Sequence, residues 1–188
     1  MEHYRIRNTI YSHIGLAAAL LLVGCQSDFC HVTGTASDMA VGDTLFVTSS
    51  LMIDSPKTAI IIEEEGQFSW EVQADSARLY RLWAAHHPDR DVTFFAERGS
   101  VSISMDNGKA SVSGTHLNDE WQALNDMAAD YSQRINRYIS CHIAAGTPPS
   151  IITRRVTKLY DEMEQHISDV AERNKDNELG RFIHTHHK

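Results

Sequence analysis

The feature that most constrains this chain is a change of hydrophobic period at Gly114. From Cys30 to Gly114 apolar residues recur at every second position, and beyond it they recur every third and fourth. A period of two sends alternate side chains to opposite faces of a strand, whereas a period near 3.6 lines one side of a helix. The chain is therefore expected to be α+β: an antiparallel β-sandwich or barrel-like domain of about eight strands, followed by a helical hairpin or arm.

The clearest strand is Gln67 to Gln73, where Phe68, Trp70 and Val72 point one way and Ser69, Glu71 and Gln73 the other. Further strands are expected near His31 to Ala36, Thr44 to Ser49, Thr58 to Glu63, Arg78 to Ala84 and Val92 to Glu97. Val101, Ile103 and Met105 alternate with polar residues, and after Asp106-Asn107-Gly108-Lys109 the chain returns through Ala110 and Val112. Asn-Gly favours a tight hairpin because both central residues must accept positive φ. Beyond Gly114, Asn118 is expected to cap a helix with Leu117, Trp121, Leu124, Tyr131, Ile135 and Tyr138 on one face. The pair Pro148-Pro149 breaks it, Ser150 is placed to cap a second helix, and a short third segment spans about Glu178 to His184.

Charge excludes one class of partner. The chain holds 17 Lys and Arg against 25 Asp and Glu, net −8. Binding to nucleic acid draws on counterion release at a basic surface, and an acidic protein lacks that drive. The acid excess falls on residues 25–113, with 13 acids and 6 bases, whereas residues 114–188 carry 11 and 9. Such balance is expected of a helical surface with paired charges.

Residues 1–24 read as an export signal, with Arg5 and Arg7 ahead of an apolar run from Ile14 to Val23. That run is too short for a membrane span, which needs about 20 apolar residues. It ends in Leu22-Val23-Gly24-Cys25, which resembles the lipobox of bacterial lipoproteins. The resemblance implies cleavage before Cys25, thioether attachment of a diacylglyceryl group to its sulfur, and acylation of the new amino terminus. Two or three acyl chains hold a protein lastingly on a membrane. Residue 26 is Gln rather than the Asp that resembles an inner-membrane retention signal, so a cell-envelope address with the outer membrane favoured is expected. Three regions follow: a signal peptide over 1–24, a β-rich domain over 25–114 and a helical region over 115–188.

Several short motifs carry a wider resemblance: Val32-Thr33-Gly34-Thr35, Gly42-Asp43-Thr44-Leu45-Phe46-Val47, Glu65-Gly66-Gln67-Phe68-Ser69-Trp70, and Phe94-Phe95-Ala96-Glu97-Arg98-Gly99, then Val112-Ser113-Gly114-Thr115 and Asn118. Together, from about Cys25 to Gly180, they look like a domain of unknown function common in Bacteroides-type lipoproteins. In that family the domain usually precedes a thioredoxin-like domain bearing Cys-x-x-Cys, which implies a thiol–disulfide exchange partner in the envelope. This chain has no Cys-x-x-Cys, so the redox activity is carried to no residue here.

A search for chemistry finds no catalytic motif: no Gly-x-Ser-x-Gly, no His-Glu-x-x-His and no phosphate-cradling glycine loop followed by Lys. No catalytic residue, metal ligand or cofactor is assigned. Cys30 and Cys141 would either form one disulfide or stand as separate small residues. Glu162, His166 and Asp169 share a helix face at spacings that ligands use, but exposed helices often meet that pattern by chance. The terminal His184-Thr185-His186-His187 and the pair His86-His87 before Pro88 are most simply surface segments. The leading expectation is thus a membrane-anchored, non-catalytic accessory module. The alternatives are a component or remnant of an envelope thiol–disulfide oxidoreductase, or a sandwich that binds a small ligand or glycan through aromatics such as Trp83.

Overall fold

The computed structural model of the protein describes residues 28–49, 56–106 and 109–186. The leader, Cys25 and the Asn107-Gly108 turn lie outside them. Among the described residues eight strands form two four-stranded sheets, followed by three helices, so the architecture is α+β with a sandwich of antiparallel-rich sheets. The strands are β1 (Phe29–Thr35), β2 (Thr44–Thr48), β3 (Thr58–Ile61), β4 (Gln67–Gln73), β5 (Arg78–Ala84), β6 (His87–Ala96), β7 (Gly99–Asp106) and β8 (Lys109–Ser113). The first sheet runs β4-β1-β7-β8 and the second β3-β2-β5-β6. All neighbours are antiparallel except β1 and β7, which are parallel, with Val32 opposite Val101. Side-chain alternation reports which face is buried and carries no information on strand direction, so this pairing is not legible in the sequence pattern.

The inward residues of both sheets make one core from Val32, Leu45, Phe68, Leu82, Phe94 and Ile103, each at most 2% exposed. Gly34 is required in that core. A β-carbon there would collide with the ring of Phe68, which packs beneath β1. Of the expected strands, Gln67 to Gln73 and Arg78 to Ala84 form over those residues, and β6 begins five residues before Val92. The pair His86-His87 is therefore split: exposed His86 lies in the turn, as a surface loop would have it, and His87 belongs to a strand. His87 opens β6 opposite Ala84, and only Ala85 and His86 turn the chain.

The helices are α1 (His116–Ala144), α2 (Pro149–Arg173) and α3 (Glu178–His186). Thr115 is the N-cap residue of α1, and Asn118 lies one turn in, fully buried. Asn118 therefore does not cap. Its Oδ1 accepts from the Phe95 N–H at 2.8 Å, and its Nδ2 donates to the Phe95 carbonyl at 2.8 Å. One side-chain amide thus serves the open edge of β6 as a neighbouring strand would. One turn later the Trp121 Nε1–H donates to the Thr93 carbonyl at 2.9 Å. On the adjoining helix face Asp119 accepts from the Gly114 N–H at 3.0 Å and Gln122 from the Val112 N–H at 2.8 Å, both on the β8 side. The first two turns of α1 therefore satisfy an edge of each sheet and close that side of the sandwich.

Behind this contact Leu117, Leu124, Ile167, Leu179 and Ile183 bury against Phe95 and half-buried Leu79 on the outer face of the second sheet. The last helix is capped by Asn177, whose Oδ1 accepts from the N–H groups of Leu179 and Gly180 at 3.0 and 3.2 Å. Prolines 148 and 149 do separate α1 from α2, but Pro148 is the N-cap residue and Pro149 opens the helix, so Ser150 sits inside it.

Replacing Asn118 by Ala leaves two buried backbone groups of Phe95 without partners. At about 1–3 kcal/mol for each orphaned group, the substitution should cost about 2–6 kcal/mol. Urea unfolding checks this, and an unchanged midpoint would show that water or backbone movement replaces the amide.

Candidate functional surfaces

The two thiols outside the leader region stand apart. Cys30 is fully buried in β1, Cys141 is exposed near the end of α1, and neither is in a disulfide. The Leu117 N–H donates to the Glu97 carboxylate at 3.0 Å, close to Cys30. Cys141 lies 24 residues further along α1, about 36 Å at 1.5 Å per residue. A disulfide needs Cα atoms within about 7 Å, so α1 itself keeps the pair from forming. Burial pushes the Cys30 thiol up to about 11; a backbone hydrogen bond at Glu97 opposes the shift and the Glu97 charge adds to it. The thiol therefore stays protonated at neutral pH, which makes Cys30 a poor nucleophile.

The helix face bearing Glu162, His166 and Asp169 is divided among other contacts. Glu162 pairs with Arg155 and Lys158 at 3.7 and 4.0 Å, and Asp169 accepts from Gln165 at 2.9 Å. The His166 Nδ1 lies 3.4 Å from the Tyr131 hydroxyl. Of the terminal histidines, His186 stacks on Phe182 with ring centroids 4.3 Å apart, and His187 lies outside the described residues. Among the described residues no three His, Cys, Asp or Glu side chains are placed to hold a metal ion.

Two surfaces remain. On the outer face of the second sheet the helices cover Leu79 and Phe95 but not the half toward β3. There Phe46 and Trp83 lie opposite each other across β2 and β5, with ring centroids 5.8 Å apart. The Lys57 ammonium sits 4.1 Å from the Phe46 centroid and the Arg81 guanidinium 5.5 Å from that of Trp83, where the negative ring faces attract cations. Arg81 also pairs with Asp91 at 2.7 Å. The second surface is the distal part of the helical hairpin. Its packing residues, Tyr131, Ile135 and Leu159 with Met127, Ile139, Val156 and Met163, come only from α1 and α2. Trp121, expected on the same packing side, belongs instead to the sheet, meeting Phe95 and Phe182 edge to face. Tyr138 stacks on His142 at 3.9 Å.

The molecule is thus a two-sheet sandwich closed along one side by a helix and extended by a helical arm. Residues 30–121 match the model of the family described as Domain of unknown function (DUF4369). The match begins inside β1 and ends at Trp121, short of the Gly180 to which the sequence resemblance reaches; it takes in Asn118 and Trp121, which serve the β6 edge, and stops one residue before Gln122. No curated protein matches the chain.

The different settings of the thiols can be read directly. In the folded protein Cys141 should alkylate rapidly with a maleimide, while Cys30 should react only after denaturant is added. Peptide mapping by mass spectrometry separates the two, and equal rates would place Cys30 in contact with solvent.

Proposed function

We propose that this chain is an exported lipoprotein, cut before Cys25 and acylated there, held in the cell envelope with the outer membrane favoured. Its folded body works as a non-catalytic accessory or interaction module. The observation that carries this reading is the self-contained distal hairpin. Beyond Met127 and Met163, which also pack against the cluster under Phe95, its apolar stripe is used up between α1 and α2, so that outer part of the arm serves to present a surface. The leader and lipobox supply the address, and no helix among the described residues is long and apolar enough to cross a membrane. The family resemblance adds an expected protein partner, an envelope oxidoreductase of thioredoxin-like type. The oxidoreductase alternative for the chain itself is disfavoured by a buried, protonated Cys30 and an isolated Cys141.

Expressed in a bacterial host fed an alkyne fatty acid, the wild-type chain should take up label and sediment with membranes, and Cys25→Ser should do neither. The purified protein should reduce a mixed-disulfide substrate no faster than buffer. Reduction that is lost in Cys30→Ser or Cys141→Ser would replace this reading with the oxidoreductase one.

A second reading, a sandwich that binds a glycan or small ligand, is favoured by the Phe46–Trp83 pair. Aromatic faces next to cations and a carboxylate are the side chains from which such sites are built. If it holds, one member of a panel of envelope sugars should raise the melting temperature of wild type and leave Trp83→Ala unmoved. A flat response across the panel would remove it.

A further inference from the structure

Between Asp130 and Asp161 thirty consecutive residues carry Arg134, Arg137, Arg154, Arg155 and Lys158 and not one carboxylate, in a chain of net charge −8. The stretch is the distal end of the hairpin: the last turns of α1, the connection at 145–148 and the first turns of α2. The near-balance of charge over residues 114–188 is therefore an average of a basic tip and acidic flanks. Arg134 pairs with Asp130 at 3.5 Å, and Glu162 serves both Arg155 and Lys158. Arg137 and Arg154 are exposed and stand in no ion pair among the described residues. At the apex, between these two groups of cations, Ile143 is 64% exposed and Ile151 50% exposed, with Pro148 and Pro149 also open to solvent.

Apolar residues at an apex backed by Arg and Lys make up the side-chain set of a surface that enters a bilayer interface. The apolar groups bury at the acyl boundary while the long cationic side chains reach the headgroup phosphates. Two alternatives fit less well. An extended polyanion would run past the tip onto the acidic remainder of the molecule and be repelled there. A wholly polar acidic partner would leave Ile143 and Ile151 unused. A bilayer meets mainly the tip: the bounding carboxylates lie back along the helices, Asp130 about 20 Å from Ile143 on α1 and Asp161 about 15 Å from Ile151 on α2, each well beyond one Debye length of about 8 Å at physiological salt.

We infer that the distal end of the helical hairpin docks on an anionic lipid surface through Arg137, Arg154 and Lys158, with Ile143 and Ile151 as the inserted groups. The contact deepens the interaction-module reading by naming what the arm meets, and it needs no acyl group on Cys25. Asn118 contacts Phe95 and Trp121 contacts Thr93, so α1 runs back along β6, away from the sandwich end where Asp28 pairs with Arg98. The tip is about 39 Å from Asn118 along α1. A molecule anchored near Asp28 and docked through its tip on the same bilayer lies along the membrane.

The test uses the full chain with Cys25→Ser, so that no acyl group forms and an environment-sensitive maleimide dye attaches at exposed Cys141 on the arm. With vesicles containing about a third phosphatidylglycerol in phosphatidylcholine the dye emission should shift to the blue. Phosphatidylcholine alone should leave it unmoved, and about 0.5 M salt should reverse the shift. Arg137→Gln with Arg154→Gln should weaken vesicle association about 25-fold, at about fivefold for each cation removed. Both residues are exposed, so an unchanged melting temperature verifies the fold, and the leader is common to both proteins and cancels in the comparison. No shift on anionic vesicles, an equal shift on zwitterionic ones, or an affinity untouched by the double substitution would overturn the inference. A shift produced by polyglutamate and not by vesicles would overturn it in favour of an acidic protein partner. Failure here leaves the acylation result standing, and loss of acylation leaves this one standing.

Discussion

A sandwich made of two separate sheets has open edges, and this one manages two of them with the start of a helix. The amide of Asn118 gives Phe95 both a donor and an acceptor, and Trp121, Asp119 and Gln122 extend the pattern along β6 and toward β8. Exposed strand edges are templates for unwanted pairing, and helix side chains blunt these without adding a strand. The same contacts set the direction of α1. Once the helix is fixed along β6, the outer face of Phe95 and Leu79 can be buried beneath Leu117, Leu124 and Phe182, and α2 and α3 have a place to pack. The remaining length of α1 has no sheet beneath it and becomes the arm.

That division separates stability from presentation. Near the sheet, apolar residues of all three helices join one buried cluster with Phe95. Further out, α1 and α2 bury only each other through Tyr131, Ile135 and Leu159. Substitutions near Asn118 act on the whole fold, whereas exposed residues beyond Tyr131 are free to vary with what the arm touches. A buried and protonated Cys30 belongs to the first region as a small core residue. The matched family segment covers the sandwich and the start of α1, and the arm beyond Trp121 lies outside it.

Much of the candidate surface was hidden by averaging or by position. Over residues 114–188 the charges nearly cancel, and only the placement of Arg137 and Arg154 around a hairpin apex gives them a common direction. Phe46 and Trp83 are 37 positions apart and meet because β2 pairs with β5, which no local pattern reports. Asn118 looks like a cap for a physical reason: Asn is a favourable cap, and a helix-start Asn that instead serves a distant strand looks the same locally. The i, i+3 spacing of Asn118 with Trp121 and of Asp119 with Gln122 was the available signal, and it becomes specific only once two edges are known to lie alongside.

By itself the sequence determined that strands precede helices, which residues of β4, β7 and β8 share a face, and where the chain must turn. Those properties follow from side-chain periodicity and from the backbone preferences of glycine and proline, which act over a few residues. Only the tertiary structure decided that β1 and β7 run parallel, that β6 extends back to His87, that Cys30 and Cys141 stand far apart, and that α1 closes the sandwich through Asn118. Each of these depends on which groups meet across long stretches of chain, and backbone pairing between strands is almost indifferent to the side chains that alternate along them.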